Sequence, residues 1–177
     1  MQTIQAGRAT LLVVDVQTRL MPAIHDGSTV IENARRLVAA AKLLDVPVLA
    51  TEQNPRGLGP TVEALPLPDG CVISKMTFDA AREPSLLPRI NPAHDVLVLG
   101  CEAHVCVLQT VLGLRAAGRN VFVVTDAIGS RNPDNRLAAI RRMERHGAEA
   151  VTTEMVVFEW LGSAGHPRFR EAVALIK

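Results

Sequence analysis

Six short runs dense in β-branched and aliphatic residues, separated by helical periodicity or turn-rich loops, constrain this chain more than any other feature. They occupy residues 10–14, 46–51, 71–74, 95–99, 120–125 and 148–152. Runs with little polar alternation suit strands buried on both faces, and such strands lie parallel under crossover helices. Residues 30–44 place Val30, Ile31, Ala34, Leu37, Val38, Ala41 and Leu44 at amphipathic-helix spacing, with Ser28 or Thr29 as the N-cap. Residues 105–117 repeat that pattern and stop at Gly118. Asn132-Pro133-Asp134 reads as an N-cap, an N1 proline and an acidic first turn for a helix over 137–146, which Gly147 ends. A last helix is expected over 166–176. The fold class that follows is α/β: one three-layer α/β/α domain over residues 1–177, built on a six-stranded parallel sheet. The Pro- and Gly-rich stretch 52–70 is expected as a loop that walls a site.

Composition narrows the function. Lys and Arg number 19 against 18 for Asp and Glu, a formal charge of +1, so no large field attracts a polyanion. Aromatic residues make up 3% of the chain, with no Tyr, and base-stacking platforms have little to be built from. The expected partner is a small molecule, not nucleic acid or a membrane. The first eight residues lack the pattern of a secretion signal and no apolar run reaches a membrane span, so a cytoplasmic location is expected. Cys71, Cys101 and Cys106 are an odd number in a chain too apolar to need a disulfide framework, which suits a reducing compartment. Neither the Cys101-x4-Cys106 spacing nor the scattered histidines make a zinc site, and no metal or cofactor is expected.

In an open α/β sheet, ligands collect at the carboxyl ends of the strands. The first run passes directly into Asp15, with Gln17 two residues on; the third ends at Lys75; the fourth runs through Gly100 and Cys101 to Glu102 and then Cys106 at a helix start. Each has an ordinary alternative, as a turn former, a solvated lysine or a small buried hydrophobe. Together they supply an acid, a base and a thiol at one sheet edge. A thiol acts as thiolate, which a nearby ammonium and a helix N-terminus favour and whose proton a carboxylate can shuttle. Cys71 is expected to be structural, His104 a weaker candidate base without a partner, and Arg141 to Arg145 a solvated face.

The elements Leu12-Val13-Val14-Asp15-Val16-Gln17, Lys75, and Gly100 through Val107 followed by Leu108-Gln109-Thr110 resemble the signature of the isochorismatase-like cysteine hydrolases. The likeness extends to residues 51–59, 125–131 and 158–167, where it is similar to the isochorismatase domain-containing hydrolase subgroup. The resemblance implies a Rossmann-type six-stranded parallel sheet with Asp15, Lys75 and Cys106 as catalytic triad. It also implies a cis peptide between Cys101 and Glu102 and an oxyanion site made by the amides of Glu102 and Cys106. Members that hydrolyse nicotinamide carry a histidine metal cluster after the second strand, and residues 51–71 contain no histidine. Members that cleave the vinyl ether of isochorismate generally lack the cysteine. The implied activity is therefore cleavage of a C–N bond through a thioester, with Gln17 and Phe78 against the substrate. Phe158 and Trp160 are expected at a subunit interface of a homo-oligomer. Alternatives are an idle scaffold, a redox sensor built on Cys101 and Cys106, and a vinyl ether hydrolase.

Overall fold

A computed structural model describes residues 3–177. Six parallel strands, β1 (Ala9–Val14), β2 (Val48–Gln53), β3 (Val72–Lys75), β4 (Asp95–Cys101), β5 (Val121–Gly129) and β6 (Glu149–Val151), form one sheet in the order β3-β2-β1-β4-β5-β6. Every residue of β1 is buried, as continuous apolar runs demand of central strands. Helices α1 (Gly27–Leu43), α2 (Pro55–Leu58), α3 (Leu108–Ala116), α4 (Pro133–Arg145), α5 (Thr153–Leu161) and α6 (Phe169–Ile176) complete the layers. Leu11, Val13, Leu97 and Leu99 face one core with α1 and α5, while Leu12, Val14, Val96 and Val98 face the other with α3 and α4. This alternation is the two-residue period of a strand applied to both faces at once.

Several expected boundaries shift for identifiable reasons. Helix α1 starts at Gly27, ahead of Ser28 and Thr29, with Asp26 at its N-cap in a left-handed conformation. Asn132 caps α4 as expected, its side chain accepting from the Asp134 amide at 2.8 Å. The expected helix 105–117 divides into a π turn, Ala103–Val107, and α3. The Val107 amide there donates to the Glu102 carbonyl five residues back. Helix α5 was not expected at all: Thr152 does not end the last strand but caps this helix by accepting from the Met155 amide. It buries Val156, Val157, Trp160 and Leu161, so Trp160 belongs to the core and not to an interface, whereas Phe158 of the same segment is exposed. Helix α6 begins at Phe169, three residues later than expected.

Strands β1 and β4 pair in register from Ala9 with Asp95 to Val14 with Gly100. Gly100 has φ 117°, and a Cβ there would lie 2.8 Å from the Val14 carbonyl carbon and 2.9 Å from its nitrogen. Both the backbone conformation and the close approach require glycine. Gly100→Ala is expected to cost about 2 kcal/mol or more, read as a lower urea midpoint at unchanged m-value. An unchanged midpoint would contradict this account.

Candidate active site

The strand order reverses beside β1, where β2 lies on one side and β4 on the other, and the crevice at that switch point is where such sheets bind ligands. Asp15 and the segment after Cys101 flank it. A cavity of about 330 Å³ opens here, lined by Asp15, Gln53 and Cys106 among polar groups and by Leu20, Leu58 and Phe78 among apolar ones. Glu102 and Arg131 also line it.

Asp15 leaves β1 at φ 52°, and its side chain is fully buried. One carboxylate oxygen accepts from the Thr51 hydroxyl at 2.6 Å, the other from Lys75 Nζ at 2.7 Å. The Lys75 ammonium is also fully buried and donates further to Gln53 Oε1 at 2.8 Å and to the Thr77 carbonyl at 3.3 Å. Its three protons are thereby matched by three acceptors. Cys106 Sγ lies 3.9 Å from the same Gln53 Oε1. Asp15, Lys75 and Cys106, from three separated parts of the chain, thus share one buried network, with Gln53 as a link that sequence reasoning missed. Gln53 ends β2 at the same carboxyl edge, in register with Lys75; that strand was expected to stop two residues earlier.

Burial first, and the Asp15 carboxylate second, push the Cys106 thiol up to about 12, against a downward pull from Lys75. Burial and the Asp15 charge thus outweigh the Lys75 ammonium, which favours a thiolate. The group at rest is a thiol beside a base. Burial also pushes Cys101 up to about 12 and raises Cys71. Folded protein should therefore gain thiolate absorbance only at a higher pH than the unfolded chain, whose thiols ionise near their ordinary value. An absorbance rise below about pH 8 that Cys106→Ser removes would contradict this. The sign for stability follows: folded thiols hold their protons more tightly, so their contribution is complete below the ordinary thiol value of 9.0 and is lost as pH climbs toward about 12.

The remaining expected residues separate. Phe78 lines the cavity and is half exposed. Gln17 does not line it: fully buried, it donates to the carbonyls of Gln53 at 3.1 Å and Gly59 at 2.6 Å and accepts from the Gln53 amide at 2.9 Å. Its side-chain amide holds the end of β2 against the loop after α2, away from the residues that line the cavity. The Cys101–Glu102 peptide is cis. The Glu102 carboxylate, of which only the amide was considered, accepts from Arg131 Nε at 3.1 and 3.2 Å and from the Arg131 amide at 2.9 Å. His104 faces Ser130 Oγ at 3.0 Å, and its bonds do not reach Asp15. Cys101 packs with Leu97 and Leu99 on one face of the sheet and Cys106 in the core of the other face. All three cysteines are free thiols, and Cys101 and Cys106 belong to different cores. Among the described residues no group of three or more His, Cys, Asp or Glu side chains could hold a metal ion.

The description "Isochorismatase domain" matches residues 9–155 of the chain, which contain Asp15, Lys75 and Cys106. The chain belongs to the isochorismatase-like hydrolase family. Isochorismatase domain-containing protein 2A of Mus musculus is 37% identical over 174 residues, 94% of this chain and 82% of that protein. A solved structure described as the MAR1 ribonuclease of Caenorhabditis elegans superposes with a TM-score of 0.91 at 36% identity, covering 98% of this chain and 92% of that one. The YcaC product of Escherichia coli, described as an octameric hydrolase of unknown specificity, has a TM-score of 0.87 at 26% identity, covering 98% and 87%. The six-stranded parallel α/β fold of this family is the one described above. Among the described residues no helix is long and apolar enough to cross a membrane.

Proposed function

We propose that this protein is a cysteine-dependent hydrolase that cleaves the C–N bond of a small amide through a thioester on Cys106. The observation that carries the reading is the Asp15 carboxylate, clamped by Thr51 and Lys75 in the wall of a cavity that also holds the Cys106 thiol. Asp15 takes the thiol proton as Sγ attacks the amide carbon, so thiolate and oxyanion need not coexist with a bare charge. The amides of Glu102 and Cys106 hold the oxyanion, each donor worth about 3 kcal/mol. Collapse breaks the C–N bond while Asp15 protonates the leaving amine. Water then attacks the thioester, Asp15 accepts its proton, and the C–S bond breaks to restore the thiol. Lys75 acts by fixing Asp15 and, through Gln53, the thiol.

The ribonuclease description of the Caenorhabditis elegans structure favours a second reading, phosphodiester cleavage. The formal charge of +1 and the 3% aromatic content weigh against a nucleic-acid substrate here, because backbone neutralisation and base stacking both lack residues. Vinyl ether cleavage and an idle scaffold do not require a thiol next to a base. Unpaired Cys71, Cys101 and Cys106 suit a reducing, cytoplasmic compartment. The octamer described for YcaC supports a homo-oligomer, and exposed Met76 and Phe78 near the site offer apolar surface for it.

The test is a panel of small amides read by intact mass. An acyl adduct that maps to Cys106 and turns over with release of amine supports the proposal. Adducts absent across the panel together with cleavage of an RNA oligonucleotide would replace it with the second reading.

A further inference from the structure

Arg131 carries donors that the proposed mechanism does not use. It follows β5, whose extension to Gly129 brings it to the same sheet edge as Glu102. Its side chain lines the cavity and is 64% exposed. Glu102 engages Nε and the backbone amide. Among the described residues no protein acceptor meets either terminal nitrogen, so the Nη1–Nη2 edge of the fork is open. Lys75 has all its protons spent in the buried network. The Gln53 side chain is spent as well, on Lys75, Cys106 and the Met76 carbonyl.

Glu102 fixes where that open edge stands. The Glu102 backbone contributes an amide to the oxyanion site in the reading above, and its carboxylate grips Arg131. The guanidinium is therefore held at a set offset from the carbon under attack. The same cavity is lined by Leu20, Leu58 and Phe78, apolar surface that suits a short apolar spacer. A planar fork with two parallel N–H groups matches a carboxylate better than any neutral group.

We propose that Arg131 is the specificity-determining residue of this pocket and that the substrate is a small amide bearing a carboxylate on a short apolar spacer. This rests on Cys106 being the nucleophile, and the experiment separates the two. N-bromoacetyl derivatives of glycine, β-alanine and 4-aminobutyrate are compared, each beside its neutral carboxamide. The Cys106 thiol loses its proton, displaces bromide and forms a thioether, and peptide mapping by mass gives the rate at that residue. For the spacer that fits, the carboxylate should react about tenfold faster than its carboxamide, equivalent to about 1.4 kcal/mol. Arg131→Gln should bring that ratio to about one, and Arg131→Lys, which keeps charge without the fork, should retain only part of it. The Arg131 amide still reaches Glu102 in both variants. A merely structural role, exerted through Glu102, would slow both members of a pair and leave their ratio unchanged. A ratio near one at every spacer length in the unmodified protein overturns the proposal, as does a preference that survives Arg131→Gln. Carboxamides that leave Cys106 untouched overturn the nucleophile assignment itself.

Discussion

Replacing Cys106 with alanine is expected to lower turnover of any amide found to acylate it by on the order of 10⁴-fold or more, since removing a covalent nucleophile removes the pathway and leaves only binding and the oxyanion donors. Cys106→Ser should fare little better. Asp15 would face a hydroxyl several pK units less acidic than a thiol, and the intermediate would be an ester that turns over slowly. The comparison that gives the result its meaning is Cys101→Ala. That thiol is more deeply buried and also pushed up to about 12, yet it packs into the core on the opposite face of the sheet and does not line the cavity. Its removal should change turnover by less than about threefold while lowering stability by about 1 kcal/mol for the lost methyl-sized volume. Amine release measures the first quantity and a urea midpoint the second. Cys106→Ala retaining more than about a tenth of the activity would exclude the thioester pathway.

The sheet was legible because β1 and β4 are central: buried on both faces, Leu11 to Val14 and Val96 to Leu99 carry no polar alternation and cannot be mistaken for exposed segments. Their exits then had to lie at one edge, which places Asp15 and Cys106 together from spacing alone. What escaped notice was set by tertiary contacts. Helix α5 opens with Thr152 and Thr153 and continues through Val156 and Val157, residues of strand propensity; the capping bond from the Met155 amide and burial of the 156, 157, 160 and 161 stripe override it. Strand β5 runs four residues past its expected end because Ile128 and Gly129 pair with Gly100 and Cys101 after a register shift. That shift is invisible in sequence, and Arg131 was missed with it. Gln17 followed Asp15 closely enough to suggest a shared site. Its direction, into the β2 backbone, depends on a loop 42 residues away in sequence.

The same buried network makes a second large effect measurable without any substrate. Lys75 and Asp15 are both fully buried at 2.7 Å. Removing one partner of such a pair leaves the other charge without its counterion, at a cost of about 3–5 kcal/mol, whereas removing both can come close to neutral. Lys75→Met should leave the Asp15 carboxylate with the Thr51 hydroxyl alone, and Asp15→Asn should leave the ammonium with Gln53 Oε1 and the Thr77 carbonyl. For a domain of this size each kcal/mol moves the melting temperature by about 2–4 °C, so either single change should lower Tm by roughly 6–20 °C. The double variant should recover more than half of the summed loss, a coupling of at least about 3 kcal/mol in the thermodynamic cycle. Urea unfolding of the four proteins supplies the numbers. Losses that simply add would mean that the pair is not coupled, and Lys75 would then have no hold on Asp15 through which to serve the reaction.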